Sequence, residues 1–134
     1  MSALTRLVYE MIGGDCKVVE GDCFKYIYGE NTICINPNES YMDNMEWKSF
    51  LMREYGFKLT PRNWFIMSIL HELGHHYTLC YFTPEEVFKS QTEPETEIDH
   101  YLEPVEKIAT EWAISYYDMA NMGKWFPKLY KAML

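Results

Sequence analysis

The chain has 134 residues, of which 48% are hydrophobic and 16% aromatic, so it is long and apolar enough to bury about two-thirds of its unfolded surface and is no disordered segment. Its 20 acidic residues against 12 basic ones give a net charge of −8, which repels phosphate backbones and excludes a nucleic-acid partner. No apolar run nears the roughly 20 residues needed to cross a bilayer, and the four cysteines, without a CxxC pair or a signal-peptide pattern ahead of them, read as reduced thiols of a cytoplasmic protein.

In chain order, Leu4, Leu7, Val8, Met11 and Ile12 recur at the spacing of one helical face, and Gly13-Gly14 stops them. CKVVEG, FKYIYG and TICIN follow, rich in β-branched and aromatic residues, the last two joined by Gly29, Glu30 and Asn31. They predict a three-stranded antiparallel sheet, with TICIN as an edge. A second helix is expected over Met45 to Tyr55, with Asp43 and Glu46 as a capping box, Trp47, Phe50 and Leu51 on its buried face, and Gly56 as its stop.

Thr60-Pro61 fits an N-cap and first helical position, predicting a third helix from Pro61 to Cys80. Thr83-Pro84 starts a short fourth helix by the same device, after which Lys89 to Asp99 is polar, acidic and aperiodic and reads as an exposed loop. From Pro104 to Asn121 a helical period returns in Val105, Ile108, Ala109, Trp112, Tyr116 and Met119, with Gly123 placed to end it, and KWFPKLYKAML closes the chain as an apolar tail on the core. The expected fold is therefore α+β: residues 1–134 as a single domain, a small sheet packed with about five helices.

The third helix carries HELGHHY, residues 71 to 77. Residues four apart on a helix lie one above the other with Cβ atoms about 5–6 Å apart, so His71 and His75 can converge on one tetrahedral ion. Glu72 is rotated by roughly 100° from His71, where a general base can reach water without occupying a ligand position. Gly74 lets a strand or a substrate backbone come close, at a cost of about 1 kcal/mol in helix propensity. The bland alternative is that these are ordinary core or surface histidines. From this composition, however, an HExxH match arises by chance on the order of 1% of the time. His76 points to another face and reads as a solvated or hydrogen-bonded histidine.

A catalytic zinc site needs a third protein ligand. Tyr81 and Thr78 rule out a third histidine at the longer HExxHxxGxxH spacing, which leaves Glu103, Glu106 and Glu111. On a helical projection Glu111 points away and is solvated, Glu103 precedes Pro104 and suits a cap, and Glu106 lies at the edge of the buried face beside Ala109 and Ala113. Glu106 is the preferred third ligand and Glu103 the runner-up. His100, Tyr101 and Tyr77 flank the site in sequence and are candidate donors to an oxyanion.

With HELGH at residues 71–75 and EKIATEWA at residues 106–113, the chain resembles the ImmA/IrrE zinc metallopeptidases, a gluzincin-like family whose second motif runs ExxA(N/D)xFA. The order of elements, a leading helix, a three-stranded sheet and then the metal helix, is similar as well. The resemblance implies a minimal zincin-like core with zinc on His71, His75 and Glu106, and a cytosolic peptidase, often encoded by phages or mobile elements, that cleaves a specific regulatory protein. Its edge strand would hold the substrate. The chain departs from the pattern at Thr110, where Asn or Asp is usual and a weaker hydrogen bond to a ligating histidine is expected. Further departures are ISYYDM after the second motif and the extra helix before the first.

The expected function is thus a zinc-dependent endopeptidase with Glu72 as base, acting on a protein or peptide substrate. The rival is a catalytically silent, zinc-stabilised protein-binding module. Nothing in the chain fixes an oligomeric state.

Overall fold

The computed structural model describes residues 2–134. Helix α1, Ala3–Met11, is capped by the Ser2 side chain, which accepts from the Thr5 N–H, and stops where Gly13 and Gly14 take positive φ. Three strands follow: β1 (Lys17–Glu20), β2 (Lys25–Ile27) and β3 (Thr32–Ile35). Ser2 and Thr5 hydroxyls donate to the Glu20 carboxylate at 2.7 and 2.9 Å, tying the start of α1 to the end of β1.

The sheet is mixed, which corrects the antiparallel expectation. Its order is β1-β3-β2, with β3 antiparallel to β2 and parallel to β1. The β2–β3 hairpin, turned by Gly29 and Asn31 at positive φ, fixes one antiparallel pair. Strand β1 runs opposite to β2, so once it takes the free side of β3 it must lie parallel to it. The burial pattern explains why β3 takes the middle. All four residues of TICI are buried, whereas β1 and β2 each bury one residue. A continuous apolar run suits a strand covered on both faces. TICIN is therefore the central strand, and the edges are β1 and β2.

Seven α-helices are present among the described residues, two more than expected. A 3₁₀ turn over Tyr41–Asn44 precedes α2 (Met45–Tyr55), and the cap is set one turn earlier than the sequence suggested, by the Ser40 N–H donating to Asp43 at 2.8 Å. Helix α3 runs Trp64–Thr78, shorter than Pro61–Cys80 because Thr60 and Asn63 bond reciprocally in a turn ahead of it. Helix α4, Pro84–Thr92, begins at the capping box of Thr83 and Glu86 and extends into the supposed loop. Pro94 interrupts it, and Thr96 caps α5, Glu97–Leu102. Helix α6, Pro104–Met119, ends at Asn121, which takes the left-handed conformation expected of Gly123. The tail forms α7, Phe126–Met133, buries Leu129 and packs on α1.

One core joins these elements, and α3 sits in its middle with twelve of its fifteen residues buried. Its most extensive neighbour is α6. Among the described residues no helix is long and apolar enough to cross a membrane.

Candidate metal centre

Helix α3 carries His71, Glu72 and His75, with both imidazoles turned to Glu106 of α6 and all three side chains largely buried. The ligand atoms of these three side chains lie within 4.8 Å of one another, a group that could hold a metal ion. Helix α6 supplies Glu106, whose Oε1 is 2.9 Å from His71 Nε2 and 3.2 Å from His75 Nε2. This approach depends on Gly74. A Cβ there would stand 2.5 Å from the carbonyl oxygen of Ala109, which is fully buried. The close neighbour of Gly74 is thus helix α6, where the sequence suggested a strand or a substrate backbone.

The outward nitrogens are occupied too. The Thr110 hydroxyl is 2.9 Å from His71 Nδ1, and the Tyr28 hydroxyl is 3.0 Å from His75 Nδ1. Thr110 therefore keeps a contact that its replacement of Asn or Asp was expected to weaken. Tyr28 was not legible as a site residue, since it lies 47 positions from its partner and in the hairpin turn. The aromatic run around it was the only signal. With both Nδ1 atoms so engaged, both Nε2 atoms face Glu106. Two ligands at about 2.0–2.1 Å from one tetrahedral ion lie roughly 3.3 Å apart, close to the 2.9 and 3.2 Å separations found between the imidazoles and Glu106.

His100 reaches the centre from α5. Its Nδ1 lies 3.1 Å from the Ser90 carbonyl oxygen, to which it can only donate, and its Nε2 lies 3.4 Å from Glu106 Oε1. Tyr101 lines the same cleft, but its hydroxyl donates to Glu97 at 3.2 Å and its ring packs on Phe50. Tyr77 lies outside the cleft lining, half exposed against Trp112 and His76. His76 meets the Tyr26 hydroxyl at 2.9 Å, the hydrogen-bonded role expected of it. Glu103 sits at the N-cap of α6, and Glu111 is exposed, accepting only from the Tyr55 hydroxyl at 3.4 Å.

Electrostatics favour a cation here. Burial pushes the Glu72 carboxyl up, partly offset by His71, His75 and the Tyr26 backbone N–H. Burial acts in the same direction on Glu106, but hydrogen bonds from His100, His71 and His75 outweigh it and hold that carboxyl well below the usual range. His71 is raised: burial opposes its charge, and the bond to Glu106 together with the Glu72 charge overcomes that opposition. The bond to Glu106 likewise raises His100. Among the described residues no lysine or arginine pairs with either buried carboxylate. Two imidazole nitrogens and a carboxylate oxygen, with a second buried carboxylate beside them, are a donor set that fits a divalent metal.

The centre opens into a cleft of about 400 Å³ whose lining includes Phe24, Tyr26 and Tyr28 of the hairpin together with Trp47, His100 and Tyr101. Strand β2 is the sheet edge beside it. Compared with protein-family models, curated proteins and solved structures, the chain gives no match.

Proposed function

We propose that the protein is a zinc-dependent endopeptidase of zincin-like architecture, with the metal held by His71, His75 and Glu106. The observation that carries this reading is Glu72, a buried carboxylate beside the three donors that a purely structural zinc would leave without a purpose. A bound zinc ion would supply Lewis acidity, polarising a carbonyl and acidifying water.

The remaining steps belong to the chain's own groups. Glu72, with its affinity for protons increased by burial, takes a proton from the attacking water and delivers it to the leaving amine nitrogen. Proton transfer of this kind contributes about 10²–10⁴-fold. His100, whose Nδ1 is committed to the Ser90 carbonyl, lines the cleft with its Nε2 on the side of Glu106 and is the donor proposed for the developing oxyanion. Tyr101, with its hydroxyl engaged by Glu97, shapes the cleft wall instead. The edge of β2 offers backbone donors and acceptors to an extended peptide.

The sequence resemblance supports, as part of this proposal, a protein substrate of the regulatory kind in the cytoplasm and a phage or mobile-element setting. Four free cysteines, two of them exposed, favour a reducing compartment.

Zinc content of the purified chain, followed by cleavage of a mixed peptide library by wild type and Glu72→Gln, tests the proposal. The expected result is one zinc per chain in both proteins and cleavage by wild type alone. A chain that stays empty when zinc is offered, or a Glu72→Gln variant that cleaves normally, would falsify it.

A further inference from the structure

Two tyrosines of the β2–β3 hairpin meet two consecutive histidines of α3. The Tyr26 hydroxyl is 2.9 Å from His76 Nδ1, and the Tyr28 hydroxyl is 3.0 Å from His75 Nδ1. The two phenol rings touch edge to face with centroids 5.0 Å apart, and Tyr28 meets the His75 ring in the same manner at 6.0 Å. The contacts are alike, but only His75 turns its other nitrogen toward Glu106.

We infer that Tyr28 is a positioning residue for the metal centre: its hydroxyl oxygen accepts the His75 Nδ1 proton and so keeps the Nε2 lone pair aimed at the ion. This rests on the metal-binding reading given above. An imidazole that ligates through Nε2 carries its proton on Nδ1, and a buried N–H needs an acceptor. His75 is buried, and the Tyr28 hydroxyl is the hydrogen-bond partner at its Nδ1.

The choice of a phenol follows from the charge already present. A carboxylate in this position would add a third negative group beside Glu72 and Glu106, whereas a hydroxyl orients the ring without adding charge. Because Tyr28 directly follows β2, the end of the strand bordering the cleft is tied to His75 itself through this hydrogen bond. A displacement of the strand is then felt at His75.

Zinc affinity of the full chain, measured by competition with a colorimetric chelator, tests this in Tyr28→Phe and Tyr26→Phe, with circular dichroism reporting the fold. Loss of an outer hydrogen bond to a ligating histidine weakens metal binding by about 10–100-fold. That loss is expected for Tyr28→Phe, with wild-type affinity in Tyr26→Phe, which removes a hydroxyl from the same hairpin without touching a ligand. Equal affinities in the two variants overturn the role of Tyr28 alone; a wild type that binds no zinc overturns the metal reading as well. If Tyr28→Phe does not fold, nuclear magnetic resonance of the zinc-loaded wild type decides the matter. The His75 Nδ1 proton should exchange slowly with water, and rapid exchange refutes the hydrogen bond.

Discussion

Between Thr78 and Pro104 the chain runs through α4 and α5, whose side chains are mostly exposed and whose starts are each set by a threonine cap. On either side of them α3 and α6 bury their facing residues and meet backbone to backbone at Gly74 and Ala109. Both regions serve one centre. The long pair brings His71, His75 and Glu106 together by packing, while α5 brings His100 through a local cap and one bond to the Ser90 carbonyl. Donors fixed by packing cannot shift without disturbing the core, whereas a donor on a short capped helix can be altered at little cost to the fold.

The largest effect should come from breaking the packed region itself. Gly74→Val places branched carbon against the Ala109 backbone, which cannot swing aside, and should lower the unfolding free energy by about 3 kcal/mol in urea titrations. Valine's better helix propensity returns only about 0.4 kcal/mol. An unchanged midpoint would mean that the contact does not set the helix spacing.

Next in size is Thr110→Val, which keeps the shape and removes the hydroxyl beside His71 Nδ1. Zinc affinity should fall about 10–100-fold, equivalent to about 1.4–2.7 kcal/mol, with Thr110→Ser retaining most of it. Thr96→Ala probes the capped region: loss of the cap costs α5 about 1 kcal/mol, so kcat/KM should fall by no more than about fivefold while zinc content holds. A matching loss of zinc would erase the distinction between the two regions.

The smallest effect lies outside both. Hydrogen bonds from Ser2 and then Thr5 hold the Glu20 carboxyl below its usual value. Its folded pKa is thus depressed, and the stability it contributes is present above the unfolded pKa and lost as pH falls through the folded one. Glu20→Gln should melt slightly below wild type at about pH 7, and the difference should vanish under more acid conditions, below the carboxylate range.

Much of this arrangement was legible in the sequence. Helical period and stop glycines located α1, α2 and most of α3 and α6, and the projection placed Glu106 on the buried side of α6, where it lies, because Val105, Ala109 and Ala113 define one buried face. What escaped depends on partners distant in sequence. Strand direction is set by which strand fills the middle of the sheet, and three residues of KYI carry no such information. The polarity of Lys89 to Asp99 masked the end of α4 and the whole of α5 because their stability comes from caps, with Val87 and Ser90 the only residues of α4 that are buried. Tyr28 gave little local sign because its contact exists only once the hairpin has closed on α3, whereas the place of Thr110 in EKIATEWA already marked it as a neighbour of a motif histidine.

Helix α3, enclosed on nearly every side, must be synthesised before its main neighbour exists. At a translation rate of about 5–20 residues per second, the 35 residues separating His71 from Glu106 take about 2–7 s to emerge. During that interval α3, twelve of whose residues are buried in the finished fold, lacks the surface of α6. A nascent chain stalled before Ala113 therefore leaves without cover an apolar helix face that the finished fold buries.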